Sequence, residues 1–210
     1  MTANAAEPTK VAVIFYSATG NITALARHIT ESAEKAGAEV RLRRVAELAP
    51  QSAIDSNPAW AENAKAIAEI PEATPDDILW ADAVLMGSPT RYGNIAAQLK
   101  QFIDTLGPLW FQGLLADKVY SGFTATSGKH GGNESTLLAL YNSFHHFGGI
   151  VVAPGYAGED LFANASPYGT AHFGSGEIDE VVLKGATAQT ERVVNTAAAL
   201  KIGRAASITA

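Results

Sequence analysis

No cysteine occurs among the 210 residues, which excludes disulfides, thiolate metal centres, iron–sulfur clusters and a cysteine nucleophile. Any cofactor is therefore held non-covalently or through other ligands. Long apolar runs are missing too. The longest, around Val11 to Tyr16, falls far short of the roughly 20 residues a membrane-spanning helix requires. The opening MTANAAEPTK has neither a basic nor an apolar segment, so no targeting leader is read there and a cytoplasmic protein is expected. Positive charge is not in excess: 15 Lys and Arg against 21 Asp and Glu leave a formal net charge of −6, which argues against nucleic acid or anionic lipid as partner. Charged residues reach only 17% while AVILMFWYC make up 47%, a balance that points to apolar surface covered by another subunit.

Several nucleotide and hydrolase motifs are absent as well. The first strand is not followed by G-x-G-x-x-G, so a Rossmann-type dinucleotide site has no anchor. Gly122 to Lys129 only approaches a Walker A loop, with five residues between its glycines and no Ser or Thr after Lys129. There is no G-x-S-x-G elbow and no H-E-x-x-H, and no metal site is expected.

What is present is an alternation of strands and helices. Val11 to Tyr16 is a short, β-branched apolar run of the kind buried on both faces of a parallel sheet. From Asn21 the apolar residues Ile22, Leu25, Ala26, Ile29, Ala33 and Ala36 recur at helical spacing, and Gly37 stands where a glycine ends a helix. Ala38 to Val45 reads as a second strand. Residues 46–80 break the rhythm and read as an insertion with one short helix, capped by Asn57 and opened by Pro58. The alternation resumes with strand Ala83–Gly87, helix Ile95–Leu106, strand Lys118–Ala125, helix Ser135–Phe147, strand Ile150–Ala153 and helix Thr187–Lys201. The stretch 156–186 reads as loop. Five such strands imply a doubly wound α/β fold, a parallel sheet covered on both faces. Ligands of these sheets bind beyond the carboxyl ends of the strands, so the loops after strands one, three and four are the candidates.

The first of these loops, Ser17-Ala18-Thr19-Gly20-Asn21-Ile22-Thr23, brings three hydroxyls and a glycine to a helix start. Hydroxyls donate to phosphate oxygens, and first-turn amides and the helix dipole favour an anion. With no Lys or Arg in it, the loop suits a permanently bound monophosphate; read by itself, it is also an ordinary Ser/Thr/Asn helix cap. The second, Gly87-Ser88-Pro89-Thr90-Arg91-Tyr92-Gly93-Asn94, offers backbone amides, a phenol face and a cation to a planar heterocycle, or is a plain turn with solvent-facing Arg91. The third, Ala125-Thr126-Ser127-Gly128-Lys129-His130-Gly131-Gly132-Asn133, is Gly-rich and takes its significance from its place after strand four.

These residues resemble the flavodoxin-like fold, whose phosphate loop is S/T-x-T-G-x-T. Ser17, Thr19, Gly20 and Asn21 match it, with Ile22 and Thr23 shifted one place. The second loop, Leu109-Trp110, the Gly128–Glu134 loop and His145-His146 are similar to the WrbA-type NAD(P)H:quinone oxidoreductases, FMN enzymes once called Trp repressor-binding proteins. The likeness runs to about Phe162 and includes the insertion after strand two.

The resemblance implies a single flavodoxin-like domain over 1–210, with a core from about 10 to 202, an insertion at about 46–80 and strand order 2-1-3-4-5. It implies FMN as bound cofactor, NADH or NADPH as hydride donor and a quinone as acceptor. Ser17, Ala18, Thr19, Gly20, Asn21 and Ile22 are then expected at the FMN phosphate, and Pro89, Thr90, Arg91, Tyr92 and Gly93 at the isoalloxazine. Ala125, Thr126, Ser127, Gly128, Lys129, His130 and Gly131 are expected to add ring and ribityl contacts. A Trp and a His from neighbouring subunits of a dimer or tetramer complete the pocket in the family; here these are Trp110 and one of His145 and His146, with His146 preferred. Thr19 and Trp110 are expected at the substrate, and Arg91 and His146 as the catalytic groups. Otherwise the two histidines are cations at a helix C-terminus and Trp110 is an interface anchor. A one-electron flavodoxin-type carrier and a protein-binding accessory protein are the alternative functions.

Overall fold

The computed structural model of the chain describes residues 7–163 and 166–208; residues 1–6, on which most of the leader reading rests, lie outside the described residues. Strand β1 (Lys10–Phe15) forms where expected, with Val11 to Phe15 all fully buried. Parallel neighbours flank it, β2 (Glu39–Arg44) on one side and β3 (Ala83–Pro89) on the other, in a register that sets Val13 beside both Leu42 and Leu85. Next come β4 (Val119–Thr126) and β5 (Ile150–Val151), giving the order β2-β1-β3-β4-β5, parallel throughout.

Strand alternation divides the core in two. Val11, Val13 and Phe15 pack with Leu25, Ile29, Val193 and Val194, which come from α1 (Asn21–Lys35) and α9 (Glu180–Ile208). Ala12 and Ile14 face the other way, toward α4 (Pro75–Trp80), α5 (Ala97–Asp104) and α7 (Asn133–His146), through Ile78, Leu99, Phe102, Leu140 and Phe144. Both faces of the sheet are thus covered. Helix α1 stops as the sequence predicts: Gly37 has φ 86°, its amide donates to Glu34 O at 2.9 Å, and the Ala38 amide donates to Ala33 O at 3.0 Å.

Three expectations need correction. Residues 46–80 hold three short helices and not one: α2 (Gln51–Asp55), α3 (Pro58–Ala66) and α4. Pro58 opens α3 as expected, and two further prolines also begin helices, Pro50 as N-cap of α2 and Pro75 as first residue of α4, where a missing N–H costs nothing. The Asn57 cap is present, its Oδ1 accepting from the amides of Ala59 and Trp60 at 3.1 and 3.3 Å.

Stretch 156–186 is not merely loop. It carries α8 (Glu159–Ala163), a sixth strand β6 (Thr170–Phe173) and the start of α9. The sheet is therefore six-stranded rather than five-stranded. β5 pairs with Val119 and Tyr120 of β4 and β6 with Phe123 to Thr126, so two short strands share one edge. Gln189 of α9 closes the junction, donating from Nε2 to Ser121 Oγ and Gly122 O at 2.7 and 2.9 Å while its Oε1 accepts from the Thr170 amide and hydroxyl, both at 2.7 Å.

Helix α9 begins at Glu180 and runs through Gly185, where the sequence reading placed loop. An interior glycine costs about 1 kcal/mol, and packing on α1 offsets it: His28 Nε2 lies 3.0 Å from the Leu183 carbonyl and 2.8 Å from the Thr187 hydroxyl. Among the described residues, no helix is long and apolar enough to cross a membrane.

Candidate functional site

The three loops meet in one cleft beyond the carboxyl ends of β1, β3 and β4. It is lined by Ser17, Ala18, Thr19, Asn21 and Ile22 from the first, Pro89, Thr90 and Arg91 from the second, and Ala125, Thr126 and Ser127 from the third. No carboxylate is among them, and Arg91 is the cation. Gly20 precedes α1 at φ 105°, a conformation that glycine adopts without strain, and offers no side-chain cap. The amides of Asn21 and Ile22, in the first helical turn, have no intrahelical acceptor and are available to an anion. The Ser17 hydroxyl folds inward, accepting from the Gly20 and Thr23 amides at 3.2 Å each, and so shapes the turn from within.

The second and third loops are joined through Thr90. Its amide donates to Ala125 O at 2.9 Å, its hydroxyl donates to Gly131 O at 3.2 Å and accepts from the Gly93 amide at 3.2 Å, and the Thr136 hydroxyl lies 2.7 Å away. Arg91 and Asn94 exchange backbone bonds of 2.7 and 3.0 Å around Tyr92 and Gly93, whose φ values of 54° and 76° make a tight reverse turn. Tyr92 stands at the tip, fully exposed and outside the lining of the cleft. Gly128, Lys129 and His130 lie on the exposed crest of the third loop, also outside that lining.

His145 and His146 end α7 on the exposed side, and Trp110 sits on α6 (Gly107–Phe111). Trp110 Nε1 donates to the His146 carbonyl at 2.8 Å, so the structure brings these two together, but in a second groove shared with Asn94, Ile95, Lys100 and Phe147. Within one protomer neither lines the first cleft.

Three contributors escaped the sequence reading. Asn63 of α3, buried, touches both ends of the first loop. Glu47, just after β2, accepts from Tyr16 OH, Trp60 Nε1 and Gln98 Nε2 at 3.0, 3.2 and 2.8 Å, which anchors the insertion against the end of β1. Burial pushes the Glu47 carboxyl up, but the Ala49 amide, Gln98, Tyr16 and the Leu48 amide together outweigh it and hold the group below its usual value. The same burial, reinforced by the Glu47 charge, drives the Tyr16 hydroxyl far up, so Tyr16 acts as a protonated donor.

The third is β6 with Gly174, the residue that follows it: the Gly174 amide donates to Thr126 O at 2.9 Å and its carbonyl accepts from Asn21 Nδ2 at 3.0 Å, tying the first loop to the third. No apolar period marks these four residues in the sequence. His172 of β6 is only 5% exposed and its Nε2 has no hydrogen-bond partner among the described residues. Burial lowers its pKa, with Asp179 partly opposing. A histidine depressed in the folded state binds its proton more readily when unfolded, so its contribution to stability is complete above about pH 6.5 and is lost as pH falls toward the folded value. Urea titrations at neutral and at mildly acidic pH are expected to show a smaller acid-induced loss of stability in His172→Gln than in the unaltered protein; equal losses would contradict this.

A parallel sheet of order 2-1-3-4-5, with a hydroxyl-bearing helix start and two further turns around one cleft, defines a flavodoxin-like α/β protein. A protein-family model described as NADPH-dependent FMN reductase matches residues 9–163. The chain belongs to this family, and with it the WrbA-type resemblance read from the loops is met. Among its relatives, the NAD(P)H dehydrogenase (quinone) of Deinococcus radiodurans is 44% identical over 171 residues, covering 81% of this chain and 86% of the relative. The protein of the same name from Aromatoleum aromaticum is 39% identical over 207 residues, covering 94% and 100%. In fold, the chain is similar to a flavodoxin, WrbA-like protein from Agrobacterium tumefaciens, with a TM-score of 0.65, 24% identity and coverage of 91% and 98%.

Proposed function

We propose that this cleft holds FMN, with its phosphate on the turn Ser17–Ile22 and its ring between Pro89–Arg91 and Ala125–Ser127, and that NADH or NADPH and a quinone react there in turn. The chain is an FMN-dependent NAD(P)H:quinone oxidoreductase. The observation that carries the reading is the convergence of three loops on a carboxylate-free cleft at the N-terminus of α1. These residues suit a phosphate monoester: free first-turn amides, a left-handed glycine and no opposing negative charge.

Bound FMN supplies hydride transfer, by which NAD(P)H is oxidised to NAD(P)+ and a quinone, with one further proton, leaves as hydroquinone. The protein's own residues hold and orient. Thr90, fixed by its bonds to Ala125, Gly93 and Gly131, sets the spacing of the two loops that flank the ring. Arg91, whose guanidinium donates to Thr90 O at 2.9 Å, favours negative charge at this rim. Because the loops cover one side of the cleft, donor and acceptor use the same open side, and ping-pong kinetics follow.

His146 and Trp110 act, in this reading, in the cleft of a neighbouring copy, His146 bonding or protonating the quinone oxygen and Trp110, with Thr19, bounding the substrate. Exposure of Trp110, Phe111 and Leu114 at 51%, 85% and 39% supports a face covered by a second copy. A cytoplasmic homo-oligomer with a single domain per chain completes the proposal.

Anaerobic NADH added to the FMN-reconstituted protein is expected to bleach the flavin absorbance, and benzoquinone to restore it. Steady-state rates against both substrates are expected to give parallel double-reciprocal lines. Absorbance unchanged by NADH and NADPH alike would overturn the proposal.

A further inference from the structure

We infer that Asn63, from the insertion, is the positioning residue of the phosphate turn, an inference that rests on the phosphate reading above. Asn63 is 7% exposed and lies on α3, far in sequence from the loop it touches. Its Nδ2 donates to the Ser17 carbonyl at 2.9 Å, and its Oδ1 accepts from the Thr23 hydroxyl at 2.9 Å. One side-chain amide thereby holds both ends of the turn.

The bond to Ser17 has a directional consequence. Across a planar trans peptide the C=O and the next N–H point opposite ways, and no cis peptide bond occurs among the described residues. Fixing the Ser17 carbonyl on Asn63 therefore aims the Ala18 N–H away from α3, and Ala18 lines the cleft. At the other end, the Thr23 hydroxyl donates to Asn63 Oδ1, which ties the first turn of α1 to α3. The site needs a donor and an acceptor on one short side chain, which asparagine has and aspartate lacks. A carboxylate here would repel the Ser17 carbonyl and set a negative charge behind the phosphate.

The test compares FMN with riboflavin, which has the same ring without the phosphate, by fluorescence quenching. Asn63→Ala is expected to weaken FMN about tenfold and riboflavin less than twofold, the loss of roughly two coupled hydrogen bonds. Asn63→Asp is expected to weaken FMN further. Thr23→Val, which keeps shape and removes one bond, is expected to weaken FMN about threefold and to add nothing to Asn63→Ala in the double variant. Unchanged riboflavin affinity also reports a folded cleft. Equal losses for both ligands, or no loss for FMN in Asn63→Ala and Thr23→Val, overturn the inference. Thr19→Glu separates this from failure of the parent reading: it is expected to erase the preference for FMN over riboflavin, and if that preference persists, the phosphate does not sit on this turn and the role of Asn63 falls with it.

Discussion

Exchange of Ser17 for alanine is expected to weaken FMN binding by about two orders of magnitude, the effect of leaving one buried and one half-buried amide without an acceptor at roughly 1 to 3 kcal/mol each. Ser17 is 5% exposed, and its Oγ accepts from the amides of Gly20 and Thr23 at 3.2 Å each. Those two bonds hold the turn that carries Thr19 and the start of α1. Without them the amides turn toward other acceptors, and the anion loses a preformed cradle rather than one contact. Equilibrium titration of the apoprotein with FMN measures the effect, and a loss below about threefold, no more than one ordinary hydrogen bond, would contradict it. Cysteine at this position, with a weak acceptor of similar size, is expected to fall between the two.

Gly87→Ala is expected to cost about 3 kcal/mol or more of folding stability, at the upper end of what overpacking does in a core. A Cβ added to Gly87 would stand 2.1 and 2.2 Å from two atoms of the Phe123 ring. The two residues are register partners on β3 and β4, so the ring lies across the glycine in place of a side chain. Phe123 is 1% exposed and packed against the layer of α1 and α9, which leaves it no other rotamer to occupy without disturbing that layer. Because Gly87 also leads directly into Ser88, Pro89 and Thr90, the damage reaches the cleft. Urea unfolding measures the loss, and Phe123→Leu introduced alongside is expected to recover part of it. Stability of Gly87→Ala within about 0.5 kcal/mol of the unaltered protein, the range of an ordinary surface change, would refute the argument.

Local chemistry was legible in the sequence, and contacts across long chain separations were not. Val11 to Phe15 announce a central strand because burial on both faces demands a continuous apolar run. Gly37 and Asn57 mark helix ends because their conformational roles are fixed within a few residues. The meeting of Ser17, Thr90 and Thr126 at one cleft follows from topology, since parallel strands bring their carboxyl ends to the same edge. Asn63 gave no signal, because a polar residue on a short helix looks solvent-facing until tertiary packing places it under a loop 40 residues away. β6 was missed for a related reason: the four residues Thr-Ala-His-Phe form a strand only because β4 presents an unpaired edge beside them. The N-terminal turns of α9 likewise depend on α1, against the local vote of Gly185.

The division of one sheet edge between β5 and β6 bears on how such a protein can change over generations. The chain leaves the edge after Val151 and comes back at Thr170, while Gln189 stitches the seam from a helix elsewhere in the sequence. The detour between those points can thus be lengthened, trimmed or exchanged without re-registering a strand beside the cleft, and variation there offers natural selection a way to retune access to it while its floor stays in place.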